Sequence, residues 1–280
     1  MSRRPSHPVR LLASALAAGA LLTTAACSDG GGSENASDTA AEQAGVARPD
    51  AAKQTPTGSP SAPAALTEAG AKAALLTEAD LEGGWNQVQD ADKWRDRLLV
   101  GKVDVAAFLT AKSSATDCQA LLDALYDDGL LGDPSGPSAL TGFEQGDSRL
   151  LEQVAGYDRA GLDARLKWLR TLPDTCDEFT ATGSGGAERT VQVTEASVPD
   201  VGDARAGLRV SVQGNADGGP ATLTLDVAAV RVDTSAVIVM GGGLEGGQTD
   251  SVAQAVRQGT ERLKTVLDGG TPSPQPTTMD

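Results

Sequence analysis

The chain has 280 residues, 23 basic against 38 acidic side chains, a formal net charge of −15 and only 3% aromatic residues. So acidic a chain lacks the basic face that phosphate binding needs, which excludes nucleic acid as a natural partner. Its one histidine is His7, too near the start to serve a folded site, so Ser/His/Asp and Cys/His mechanisms and imidazole-bound zinc drop out as well.

Arg3, Arg4 and Arg10 precede an unbroken apolar run from Leu11 to Ala26. A run of roughly 16 residues suits the core of an export signal and falls short of the ~20 that a spanning helix needs. It ends in Leu22-Thr23-Thr24-Ala25-Ala26-Cys27. Small residues before a cysteine resemble the lipobox of bacterial lipoproteins, with Thr24 where leucine is usual. The resemblance implies cleavage before Cys27, a diacylglyceryl group on its sulfur, and a protein held by lipid on the outer face of the cell membrane. Residues 1–26 are then the signal and 27–65 a tether, because the Gly, Ser, Ala, Thr and Pro that fill this stretch bury too little to offset ordering entropy. Such a tether spans about 35 Å on average.

Residues 66–268 read as one domain, and 269–280 as a Gly/Pro/Thr-rich tail. Thr67, and Thr77 with Asp80, look like starts of a short helix and a helical turn that end at Gly83-Gly84-Trp85. Asp117 is placed to cap a helix carrying Cys118, Leu121, Leu122 and Leu125. Leu140–Phe143 and Leu150–Val154 suit a strand pair. Asp158 precedes a helical stripe of Leu162, Leu166, Leu169 and Leu172. Thr190–Thr194, Leu208–Gln213 and Thr222–Val227 alternate polar and apolar residues, and the continuously apolar Val237–Met240 suits a central strand. The links Asn215–Gly219 and Asp233-Thr234 are hairpin-sized. Thr249 opens a last helix with Val252, Val256, Leu263 and Val266 on one stripe. The expected fold is α+β, a twisted antiparallel sheet with helices packed on one face.

With Cys27 assigned to lipid, Cys118 and Cys176 remain. Outside the cell an even pair reads as a disulfide; two separately buried thiols are the alternative. Asp123, Asp127 and Asp128 gather at a helix end, but no calcium-loop spacing accompanies them, and no metal or cofactor is expected. Gly241-Gly242-Gly243-Leu244-Glu245-Gly246 matches G-x-G-x-x-G, yet no second parallel strand follows, so it reads as a flexible turn. Carboxylate catalysis remains the rival reading, as a less favoured hydrolase.

The order of these elements, from Leu76–Leu81 and Gly84-Trp85 through the Cys118 helix, the strand pair near Tyr157, the helix carrying Trp168 before Cys176, the meander and the final helix, resembles the PknH-type extracellular sensor domain of actinobacteria. The similarity covers most of residues 66–268. It implies a ligand groove between helix and sheet, with Trp85, Trp94 and Trp168 as candidate lining. This chain has one cysteine pair where kinase-linked members carry two. Its expected role is non-enzymatic binding or sensing of a small molecule or an envelope protein; a structural envelope module is the alternative.

Overall fold

The computed structural model describes residues 65–91, 116–126, 129–182, 186–216, 219–244 and 246–273. The signal, Cys27, the tether, Trp94, Asp127, Asp128 and most of the tail lie outside the described residues.

Helix α1 (Glu68–Ala74) begins where Thr67 accepts a hydrogen bond from the Gly70 amide at 3.0 Å. A single 3-10 turn, Glu78–Asp80, follows, closed by Asp80 Oδ2, which accepts from both the Thr77 amide (2.8 Å) and its hydroxyl (2.7 Å). Strand β1 (Asn86–Gln87) is a short edge. Helix α2 (Thr116–Tyr126) starts one residue before Asp117, which sits in its first turn, where a carboxylate favours the positive end of the helix dipole, rather than at the cap. Strands β2 (Ser138–Gln145) and β3 (Ser148–Gly156) pair in register as the expected hairpin. Helix α3 (Arg159–Thr175) is capped by Asp158, which accepts from the Gly161 amide at 2.9 Å, and buries all four leucines of its stripe. Each such leucine is worth roughly 2 kcal/mol of burial.

Strands β4 (Glu178–Thr182), β5 (Glu188–Glu195), β6 (Ala204–Ala216), β7 (Gly219–Val232) and β8 (Ser235–Gly243) form a meander before helix α4 (Thr249–Leu267). All strands join one eight-stranded antiparallel sheet in the order β1-β2-β3-β8-β7-β6-β5-β4. The α+β class and the antiparallel sheet are as the sequence suggests.

The helices, however, cover both faces of the sheet. Alternation sorts the central strands into two cores: Val227, Ala229, Ile238 and Met240 join the leucines of α2 and α3, while Ala228, Val230, Val237 and Val239 join α1 and α4. The physical reason is visible in β8, buried at every position, because a strand apolar on both sides needs a layer on each.

The glycine run is another departure. Gly241–Gly243 are not a flexible turn but the buried end of β8, and Gly246 beyond them takes a positive φ, of 125°. A Cβ at Gly241 would meet Val252 of α4 at 2.7 Å, and one at Gly242 would collide with the Thr224 carbonyl. These glycines allow the last helix and the next strand to approach closely. Thr249 is the first residue of α4, yet its hydroxyl is turned to Asp226 Oδ2 at 3.2 Å and accepts from Arg209.

Candidate functional site

The face under α2 and α3 carries a narrow apolar crevice over the β2, β3 and β8 half of the sheet. Its lining is Leu130, Leu140, Leu151, Gln153, Ile238 and Met240, around a cavity of about 20 Å³. Two alternate rungs of the ladder build its floor: Leu140, Gln153 and Ile238 on one, and Gly142, Leu151 and Met240 on the next that faces this side.

Leu130 closes one side of this crevice, and its position depends on α3. Arg165 donates to the Gly129 carbonyl at 2.8 Å, while its guanidinium lies 4.4 Å from the centre of the Trp168 ring. Burial holds the Arg165 guanidinium below its ordinary pKa, and nearby Asp133 opposes that shift. Gln153 is the polar group of the floor, its amide nitrogen 3.4 Å from Ser138 Oγ. So small a space between apolar walls and the Gln153 amide admits no more than the tip of an apolar group.

Of the candidate tryptophans, Trp85 and Trp168 are not brought together. Trp85 is only 3% exposed and belongs to the core between the sheet, α1 and α4, whereas Trp168 packs half-buried on the opposite face. The alternation that puts α1 and α4 on one side and α2 and α3 on the other separates them. Cys118 and Cys176 are bridged, with Cα atoms 5.6 Å apart, joining the first turn of α2 to the end of α3. Asp123 is exposed and accepts from Gln119 at 2.7 Å, and Asp200 pairs with Arg205 at 2.6 Å on the surface. No group of three or more His, Cys, Asp or Glu suited to a metal occurs among the described residues.

Sequence reasoning missed one group altogether. Glu152 of β3 is 0% exposed on the α1 and α4 face. Its Oε2 accepts from the Leu76 amide at 2.7 Å, and its Oε1 is buried with no partner. Burial raises its pKa from 4.5 to about 8, against the lowering effects of the Leu76 amide and Arg262; the Asp80 charge adds to the rise. Arg262 of α4 meets Asp80 Oδ2 at 3.3 Å and donates to the Ala73 carbonyl at 3.0 Å. A Cβ at Gly259 would collide with Glu152 Oε1, so the glycine of α4 makes room for the carboxyl. The available signal was an acid within Leu150-Leu151-Glu152-Gln153-Val154, a strand apolar on both sides. Buried beneath α1 and α4, this carboxyl is on the other side of the sheet from the crevice.

No family model matches the sequence, and no curated protein matches it. Among solved structures the chain is similar to the extracellular domain of PknH from Mycobacterium tuberculosis, at 15% identity and a TM-score of 0.43, over 73% of this chain and 98% of that one.

Proposed function

We propose that the protein is a lipoprotein anchored through Cys27 on the extracytoplasmic face of the membrane, and that its domain is a non-enzymatic binding or sensing module for an apolar ligand. One observation carries the anchored part of this reading. With Cys118 and Cys176 bridged, Cys27 is the remaining cysteine of the three, and it stands at the end of the apolar run in the lipobox-like context. A disulfide also suits an oxidising compartment.

Intact-mass spectrometry of membrane-extracted protein tests the anchor. The expected mass is that of residues 27–280 plus a diacylglyceryl group; an unlipidated chain would overturn it.

Support for the binding part is the crevice, whose apolar walls converge on Gln153. A fluorescent single-chain fatty-acid analogue, seating one chain end in the crevice, is expected to bind the full chain and to lose at least ten-fold in affinity when Gly142→Val adds a side chain to the floor. Equal binding by both proteins, with the variant still folded by its unfolding midpoint, would remove the crevice as the site.

A further inference from the structure

The segment Leu66–Leu81 lies against the sheet and α4 through apolar anchors and a small set of polar ties. Leu66, Ala71, Ala74, Leu76 and Leu81 are buried against Phe143, Leu150, Val154 and α4. The polar ties converge on Glu152 and α4. Glu152 accepts the Leu76 amide, Arg262 holds Asp80 and the Ala73 carbonyl, and Gln254 donates to the Asp80 carbonyl at 3.2 Å while accepting the Glu82 amide at 3.2 Å.

We propose that Glu152 is a proton-operated latch: while its carboxyl is neutral the segment Leu66–Leu81 stays docked, and loss of the proton releases it. The geometry around the carboxyl leads to this. In the neutral carboxyl Oε2 accepts the Leu76 amide and the proton sits on Oε1, which leaves one uncharged donor without an acceptor. An ionised carboxylate has about four acceptor sites, yet Oε1 has no donor and the Gly259 backbone closes over it.

The charged groups facing Glu152 are Asp80 from the 3-10 turn and Arg262 from α4. Asp80 repels the new charge. Arg262 attracts it, with a buried Nε that has no partner, while its Nη atoms hold Asp80 and the Ala73 carbonyl, which are ties of the same segment and would loosen if the guanidinium turned. Admitting water to Oε1 also requires lifting the segment. Both responses to ionisation therefore weaken the same contact. The hydroxyl of Thr260, the residue after Gly259, is likewise buried without a partner, so the polar centre is incompletely satisfied before any proton leaves. The raised pKa places the transition close to neutrality rather than in strong acid.

This latch lies on the face opposite the crevice, so it stands or falls independently of the ligand reading. The test is hydrogen exchange by mass spectrometry on the full chain, wild type and Glu152→Gln, at pH 6 and pH 9, corrected for the intrinsic pH dependence of exchange. In the wild type, protection of peptides within residues 66–81 is expected to fall at least ten-fold relative to α3 peptides. The glutamine variant is expected to keep it constant. Unchanged wild-type protection overturns the latch, and so does an equal loss in the variant. Should Glu152→Gln not fold, a carbon-13 titration of the wild-type carboxyl decides the matter: a midpoint within one unit of 4.5 overturns the latch, and one near 8 supports it.

Discussion

Replacing Cys118 and Cys176 together with alanine is expected to lower the free energy of unfolding by about 4 kcal/mol at 25 °C, read from urea denaturation. The bridge closes a loop of 58 residues, and the loss of loop entropy in the unfolded chain is the source of that figure. Alanine is the informative replacement, since both cysteines are 1% exposed and a serine there would add an unsatisfied hydroxyl. Adding a reductant to the wild type should produce the same shift, because it removes the same constraint. The consequence is local as well as global. Cys118 fixes the first turn of α2 to the end of α3, and α2 buries Leu121, Leu122 and Leu125 over the sheet. A shift below 1 kcal/mol would mean that packing alone positions α2.

The second large effect is a stability that declines as the solution is made less acidic. Unfolded, Glu152 ionises around 4.5; folded, at about 8. Below the lower value the carboxyl is neutral in both states and its contribution to stability is fully present. Between the two values only the unfolded chain ionises, which favours unfolding by up to about 1.4 kcal/mol per pH unit. Above the upper value both states are ionised and the dependence ends. From pH 5.5 to pH 7.5 the wild type is therefore expected to lose about 2 to 3 kcal/mol more than Glu152→Gln, measured by urea denaturation at each pH. Parallel curves for the two proteins would show that the folded carboxyl ionises as it does in the open chain.

Much of the architecture could be read from periodicity. The leucines of α3 recur at helical spacing behind Asp158, and β5, β6 and the first half of β7 alternate as half-buried strands do, so each announced itself. Strand β4 escaped because it buries only Ala181, and β1 because two exposed residues carry no pattern. The double-sided cover was legible in principle. A strand as apolar as Val237–Met240 implies a layer on each face, and taking it as central without that corollary gave helices on one side only. The crevice was harder, since Leu140, Leu151 and Met240 look like ordinary core residues until the register sets them on alternate rungs of one face. The tryptophans misled through scarcity: in a chain poor in aromatics they drew attention to themselves, whereas Trp85 fills a core. Glu152 was passed over among many acids, although its position between Leu151 and Val154 distinguished it from the exposed ones.

The strand order sets a sequence of events as the chain is made or exported. Every neighbouring pair within β4 to β8 is joined by a connection local in sequence, and so is the β2–β3 hairpin. The pairing of β3 with β8 is different: it joins Leu151 to Met240, with helix α3 and strands β4 to β7 between them in sequence. A chain emerging from its N-terminus thus exposes the apolar edge of β3 long before its partner exists. Residues 148–156 are then an open template for wrong pairing, and the time spent waiting grows with every residue still to appear. The sheet is complete only when its last strand arrives, so a truncation that removes β8 would leave two half-sheets seeking partners elsewhere.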